Sequence, residues 1–591
     1  MTVYKAPLRD FSFILNELLD PQELASLLGC EEATPDAIAA VLEEAAKICE
    51  EVVFPLNRSG DEEGCHFENG EVRTPKGFKE AYRIFREGGW TALACTPEFG
   101  GQGLPETVSF CVMEMLCSAN LSFGMYPGLS NGAYRALALH GTPEQKRLFL
   151  PALIDGSWAG TMCLTEPHCG TDLGQIRTKA VPLGEDKYRL TGTKIFISAG
   201  EHDLTPNILH LVLARLPDAP EGVKGISLFL VPKFLAKPDG GIGERNAVQC
   251  GSIEHKMGIK ASSTCVINFD GAEGYLIGAP HGGMRCMFTM MNYARLGVSM
   301  QGLGIAETAY QSARAYAGER LQGRALSGPK QPALAADPIL VHPDVRRMLL
   351  IQKANAEAAR ALAIWTAVNI DIAERHPDPV RRAEADDFVA LMTPVMKAHF
   401  TDCGFEAANL AVQILGGHGY IRENGVEQLV RDARITQVYE GTNGIQALDL
   451  VGRKLSAHTG RQLRSFFHPA AAFIAANQEN KAMQEFIEPL AKAFGRLQQA
   501  TLIIAERGLK DPEEAGAAAS DYLKLFALTA FAFIWARMAK VSLDKTGGEE
   551  SGFYEGKLAT ARFYMTRILP QTSSLLAMIG AGKAPIMAPE L

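Results

Sequence analysis

Thr161-Met162-Cys163-Leu164-Thr165 is the place where the chain changes texture. The run is short, apolar and bounded by polar residues, and it reads as a strand. Residues 188–191, 194–198, 208–216, 226–231 and 264–269 read the same way. They are rich in Val, Ile, Leu and Phe and are separated by Gly, Pro and Asp turns. No long helical pattern lies between them, so a small antiparallel β domain fits better than a parallel doubly wound sheet.

On both sides of this segment the period is helical. Upstream, Thr34-Pro35 is an N-cap followed by Pro at the first helical position. Ile38, Val41, Leu42, Ala45 and Ile48 continue it as an apolar stripe. Gly88-Gly89-Trp90 and Phe99-Gly100-Gly101-Gln102-Gly103 are loops, and Thr142 with Gln145 has the spacing of a capping box. Downstream, residues 288–320, 341–374, 383–415 and 445–455 carry helical patterns that suggest a bundle. A helical tail follows over 469–578, with Gly547-Gly548 and Gly552 marking a loop within it. The expected fold is α+β and multidomain: an N-terminal helical domain (1–157), a middle antiparallel β domain (158–281), a C-terminal four-helix bundle (282–458) and an additional helical extension (459–591).

The chain has 591 residues, too many for one ordinary core, and 47% of them are hydrophobic, as in globular proteins. A formal net charge of -9 argues weakly against a nucleic-acid binder. The 12 cysteines are scattered, contain no CxxC pair and stop at Cys403, which suits reduced thiols in a cytoplasmic protein. Residues 1–10 carry no apolar signal region. The apolar run 525–536 is too short to span a bilayer and reads as a buried helix. Gly302-Leu303-Gly304 lacks a preceding strand and a third glycine, and Gly580-Ala581-Gly582-Lys583 lacks P-loop spacing.

Gln437-Val438-Tyr439-Glu440-Gly441-Thr442-Asn443-Gly444-Ile445-Gln446 is the stretch with the most chemistry in it. A carboxylate follows an aromatic residue and precedes a turn, and Ile445, Leu448 and Leu455 then recur at helical spacing. Asn443 with Gln446 fits an N-cap and capping box. Glu440 alone could simply complement the helix dipole. A carboxylate desolvated by an aromatic neighbour also suits proton abstraction.

Four motifs stand in order. They are Leu164-Thr165-Glu166-Pro167-His168-Cys169-Gly170-Thr171-Asp172; Lys194-Ile195-Phe196-Ile197-Ser198; Arg320-Leu321-Gln322-Gly323-Arg324; and Gln413-Ile414-Leu415-Gly416-Gly417-His418-Gly419-Tyr420, followed by Tyr439-Glu440-Gly441-Thr442. Together they resemble the acyl-CoA dehydrogenase family over roughly residues 35 to 455. The tail is similar to that of a C-terminally extended bacterial branch, which includes 3-(methylthio)propanoyl-CoA dehydrogenases. Met257-Gly258 and Phe288-Thr289-Met290-Met291-Asn292 resemble that branch too.

The resemblance implies FAD and the two-electron α,β-dehydrogenation of an acyl-CoA thioester. Glu440 matches the base. Met162, Leu164 and Thr165 match positions lining the flavin ring, and Gly170 and Thr171 match the turn that meets flavin and pyrophosphate. Phe196 and Ser198 match the aromatic and hydroxyl groups on the isoalloxazine. Arg320 and Gln322 match residues reaching the FAD of a neighbouring subunit, and Gln413 and Gly417 match further contacts to its adenosine. Thr442 matches a phosphate contact. Asn292 and Arg295 match the pair touching acyl-CoA, with Thr171 and Tyr439 also on the substrate side. No metal-spaced partner accompanies His418. Further implications are an electron-transferring flavoprotein as acceptor and a homodimer, while no nucleic-acid partner and no membrane are expected from the net charge and from the character of the tail. Short to medium acyl groups are expected, 3-(methylthio)propanoyl-CoA among them.

Taken singly, each residue has a plainer reading: turn formers at 165–167 and 170–172, a core Phe196, a solvated helix end at Arg320 and Arg324. Their joint occurrence with Glu440 reverses the odds. The chain departs from the common pattern at Thr171 (Ser in many members), Phe196 (Trp), Asn292 (Asp), Met162 (often Tyr) and Gly444 (a polar residue). An acyl-CoA oxidase shares the base and a helical tail, and a flavin- or CoA-binding scaffold without turnover would lack the base. The tail either covers the bundle face or presents its Phe526, Phe531, Phe533 and Trp535 helix to a membrane. The first reading is favoured, because the basic amphipathic face of a surface-binding helix is missing.

Overall fold

The computed structural model of the chain describes residues 2–184 and 186–590. Contact density divides them into two compact units. One comprises Lys47–Leu104 and Ala119–Gly297, and the other Met1–Ala46, Pro105–Ser118 and Val298–Leu591.

The first unit is built on a sheet. After a hairpin of β1 (His66–Glu68) and β2 (Glu71–Arg73) come β3 (Trp158–Cys163), β4 (Lys179–Gly184), β5 (Lys187–Ser198), β6 (Asn207–Arg215) and β7 (Ile226–Pro232). A second hairpin, β8 (Phe234–Ala236) and β9 (Ile242–Arg245), precedes β10 (Val248–Ile253) and β11 (Thr264–Ile277). The seven-stranded sheet runs β10-β11-β5-β4-β6-β3, with β7 pairing β11 and β6. Pairing is antiparallel except where β6 runs parallel to β3, and at a single pair with β4. The antiparallel expectation is therefore corrected at the β3 edge. The expected strands 188–191 and 194–198 are one strand, β5, which pairs in unbroken register through Gly192 and Thr193 rather than turning there.

The apolar runs that mark these strands do not alternate with polar residues because both faces are covered. Leu209, Leu211 and Leu213 of β6 enter one core with Leu228 and Leu230 of β7. Val212, Ala214, Phe229 and Val231 enter another on the opposite face. The first core also takes Ala133 and Leu137 of α1 (Leu121–His140), Phe149 and Leu153 of α2 (Pro143–Ile154), and Met287 and Met290 of α3 (Gly283–Glu319). Helix α2 opens with the expected capping box between Thr142 and Gln145. A Cβ on Gly160 would lie 2.4 Å from the Ala133 Cβ, so the strand and α1 meet through a glycine.

The second unit is helical. It contains α3 from Val298 onward, α4 (Pro343–Arg375), α5 (Pro379–Leu415), α6 (Val426–Thr436) and α7 (Asn443–Asp449). The extension adds α8 (Arg461–Asn477), α9 (Gln484–Lys510), α10 (Pro512–Leu543), α11 (Ser551–Phe563) and α12 (Gln571–Ala581). Helix α6 is absent from the sequence reading, and α8 begins before residue 469. The loop falls at 544–550, with Gly552 already inside α11. Gly302 and Gly404 let α3 and α5 approach: a Cβ on Gly302 would sit 2.5 Å from the Phe400 carbonyl oxygen, and one on Gly404 2.5 Å from that of Gly302. A Cβ on Gly304 would lie 2.7 Å from the Ser118 backbone nitrogen, so both glycines of the Gly-Leu-Gly pattern are sites of close backbone approach.

Helix α10 is long and apolar enough to cross a membrane, yet 78% of its most apolar window is buried within the protein. Trp535 donates its indole N–H to the Ala354 carbonyl of α4 at 3.1 Å. Phe531 meets His399 of α5 edge-on, with ring centroids 4.8 Å apart, and Phe533 packs on Trp365. This is the buried helix read from residues 525–536.

Candidate active site

In the sheet unit, the first two motifs lie side by side. The Ile195 N–H donates to the Thr165 carbonyl at 2.9 Å, just beyond the end of β3. The fully buried Lys194 ammonium donates to the Leu164 carbonyl at 2.9 Å and to the Glu166 carboxylate at 2.8 Å. Glu166 also accepts from the Thr178 N–H and hydroxyl and from the Arg177 N–H. Burial opposes its charge, but the Lys194 ammonium and these hydrogen bonds hold its carboxyl below the usual range. Burial in turn pushes Lys194 down, against the pull of Glu166. The pair fixes the backbone of Leu164 and Thr165, both half-buried, beside the half-buried Met162.

Phe196 is the exception on this strand. Residues 194 and 197 face Ile267 and Cys265, so β5 has two residues where β11 has one. That is a bulge, and it re-aims a side chain. Phe196 adopts φ 58° and its side chain is 60% exposed, while its neighbour Ile197 is buried. Ser198 is half-buried one residue further on. A Cβ on Gly170 would touch the Thr165 methyl at 3.4 Å, which brings Gly170 and the exposed Thr171 to the same end of the sheet. Glu166, His168 and Cys169 place potential ligand atoms within 4.8 Å of one another. Their donors are committed elsewhere: Glu166 as above, and His168 Nε2 against the Gln175 carbonyl at 2.9 Å.

Further along, in the same unit, Arg295 donates to the Asn292 side-chain oxygen at 3.4 Å. The two expected acyl-CoA residues are thus adjacent on α3, with Asn292 exposed.

In the helical unit, α3 ends at Glu319 and the chain enters a loop organised by the buried Asp337. Its carboxylate accepts from the N–H groups of Ala325, Lys330 and Gln331 and pairs with Arg324 at 3.4 Å. The Ala325 N–H and its companions hold that carboxyl down at about 2. Arg320 and Gln322 lie exposed on the entry to this loop. Tyr316 on α3 meets the His418 ring at 3.3 Å, which ties the end of α3 to the 416–420 turn. Gln413 and Gly417 are exposed there. His418 is accordingly a turn residue with an aromatic partner.

Glu440 sits in a loop between α6 and α7. Its backbone is left-handed, φ 57°, and is followed by Gly441 at φ 86°. The N-cap of α7 is Thr442, whose hydroxyl accepts from the Ile445 N–H at 3.3 Å. Asn443 is the first helical residue, and this corrects the sequence reading. Gln446, expected to close a capping box, instead donates to the carbonyls of Glu440 at 3.2 Å and Gly441 at 3.4 Å. The Tyr439 hydroxyl donates to Gln301 on α3. Burial pushes that phenol well up. Lys194 stands in the second motif without a role in the sequence reading, and Asp337 and Gln301 are missing from it. Gln301 acts across a long separation and Asp337 within its own loop, and only Lys194, a cation within an apolar strand, carries a local signal.

Four family profiles match in chain order: acyl-CoA dehydrogenase N-terminal domain over 35–157, middle domain over 161–272, C-terminal domain over 281–455, and acetyl-CoA dehydrogenase C-terminal like over 466–590. The chain is 44% identical over 575 residues to 3-methylmercaptopropionyl-CoA dehydrogenase of Ruegeria pomeroyi, covering 97% of each. The chain belongs to the acyl-CoA dehydrogenase family. It is an oxidoreductase of a family that binds FAD. A butyryl-CoA dehydrogenase of Syntrophomonas wolfei is 34% identical over 613 residues, 99% of this chain and 98% of the relative. An acyl-CoA dehydrogenase from Bacillus anthracis, solved complexed with FAD, shares the fold. It has a TM-score of 0.75 at 20% identity and covers 98% of this chain and 92% of that one. The residues that the resemblance expects at the flavin have a chemistry that fits such a group. An aromatic ring held out from a buried sheet by a bulge is a platform for a planar ring, and the polar groups of Thr165, Thr171 and Ser198 stand at the same end of the strands.

Proposed function

We propose that the protein removes the α proton and β hydride of a short- to medium-chain acyl-CoA, giving the trans-2-enoyl-CoA, with Glu440 as the α-proton base. The observation that supports this most is the left-handed backbone of Glu440. A non-glycine residue held in that region costs stability and persists where its surroundings over-determine it, as at functional sites. The carboxylate takes the α proton. The Glu440 N–H donates to the thioester carbonyl, so that charge developing there is met by a fixed dipole. Tyr439 lines the acyl group, and Thr171, Asn292 and Arg295 hold the CoA thioester.

FAD, when bound, supplies the acceptor for the β hydride. Met162, Leu164, Thr165, Gly170, Thr171, Phe196 and Ser198 would hold its ring system, and Thr442 would hold its phosphates. Arg320, Gln322, Gln413 and Gly417 would hold the adenosine half from the neighbouring subunit of a homodimer, a reading their exposure supports. Electrons pass to an electron-transferring flavoprotein. The names of the Ruegeria and Syntrophomonas relatives support 3-(methylthio)propanoyl-CoA and butanoyl-CoA as substrates. Burial of α10 supports a cytoplasmic enzyme.

Anaerobic mixing of the holoenzyme with butanoyl-, 3-(methylthio)propanoyl-, octanoyl- and palmitoyl-CoA tests this reading. Flavin bleaching is expected to be fastest with the first two and abolished in Glu440→Gln with FAD still bound. Bleaching by palmitoyl-CoA alone, or at an unchanged rate in Glu440→Gln, contradicts it.

A further inference from the structure

We infer that Asp402 is a positioning residue: one carboxylate oxygen on α5 staples both ends of the loop that presents Glu440. The inference rests on the reading of Glu440 as the base. The loop closes where the Asn443 N–H donates to the Gln437 carbonyl at 3.2 Å. At this neck the Gln437 side chain donates to Asp402 Oδ1 at 2.7 Å, and the Asn443 side chain donates to the same oxygen at 2.8 Å. Asn443 is locked further by its amide on the Ala398 carbonyl at 3.1 Å and by the buried Lys397 ammonium on its oxygen at 3.0 Å.

Asp402 itself is exposed, whereas Thr401 and Cys403 beside it are buried. The core of α5 therefore does not need its side chain, but the neck does. Within the neck, Glu440 holds its left-handed backbone, which sets the carboxylate and the N–H together. Without the staple, residues 438–442 relax toward right-handed conformations and both groups turn away from their working directions. Misplacement on the scale of an ångström costs on the order of 100-fold in rate.

Three substitutions test this in the FAD-loaded enzyme with butanoyl-CoA. Asp402→Ala is expected to lower kcat about 10- to 100-fold. KM should stay within about twofold, FAD content should be unchanged, and the limb of the kcat–pH profile set by the base should be displaced. Asp402→Asn keeps an oxygen that accepts both bonds and is expected to recover kcat to within about threefold and restore the profile. Gln437→Ala removes one bond at a half-buried position and is expected to fall between them. It carries the test if Asp402→Ala does not fold. Unchanged kcat and pH profile in Gln437→Ala, and in Asp402→Ala where that folds, overturn the staple. Glu440→Gln distinguishes the two readings: an active Glu440→Gln removes the base, whereas an inactive one beside a fully active Asp402→Ala removes the staple alone.

Discussion

Phe196 and Glu440 share an unusual backbone, φ 58° and 57°, at the two residues that the motifs single out most strongly. Each such conformation costs about 1–3 kcal/mol for a residue with a side chain. Phe196→Gly separates that cost from the ring's use. The variant apoprotein is expected to be as stable as the unaltered one or more so, because glycine adopts this conformation freely. Its affinity for FAD, measured by titration of the apoprotein, is expected to fall at least about tenfold, roughly the worth of one aromatic stacking contact. Phe196→Trp should bind normally. Equal FAD affinity in Phe196→Gly contradicts a platform role. Neither left-handed residue was legible in the sequence, since Phe and Glu are not residues that favour this region. The chemistry of the motifs was legible residue by residue. The partners Lys194, Gln301 and Asp402 lie 28, 138 and 35 residues from the groups they hold, and only folding joins them.

At the scale of elements, long periodic segments read well and short ones poorly. Strands β6 and β7 announced themselves because both faces are apolar. β4, with Lys179 and a largely exposed face, had no such signal. Helix α6 was lost because Gln428 and Asp432 sit among Val426, Leu429 and Ala433 on its buried face and break the apolar stripe. Where α5 meets α10, His399 carries a pH dependence. Burial lowers its pKa from 6.5 to about 3, so it is neutral in the fold and free to charge on unfolding. Its contribution is complete above pH 6.5 and is lost as pH falls toward about 3, by about 1.4 kcal/mol per pH unit. His399→Gln is expected to make the fall in thermal stability between pH 6.5 and 5 shallower by one proton. Parallel curves for the two proteins would show His399 protonating freely in the fold.

At the scale of the molecule, the extension is part of the helical unit rather than an appendage. Arg360, fully buried on α4, pairs with Glu114 at 2.6 Å, Glu307 at 2.6 Å and Asp10 at 3.1 Å. Lys557 of α11 joins the same cluster through Asp10 at 2.7 Å and Glu357 at 2.9 Å. Charges so buried are costly unless each is paired, so the short helix Leu8–Phe13 that carries Asp10, the bundle and the extension are held to one arrangement. That arrangement gives α5 the fixed face on which the Glu440 loop closes. The claim that depends on it is that Glu440 removes the α proton. Deuterium incorporation at the α carbon of a bound acyl-CoA in D2O, followed by mass spectrometry in the unaltered enzyme and in Glu440→Gln, measures that step alone. Exchange is predicted to fall at least about 100-fold in the variant with FAD content unchanged, as removal of a general base requires. Equal exchange rates in the two proteins would contradict the account.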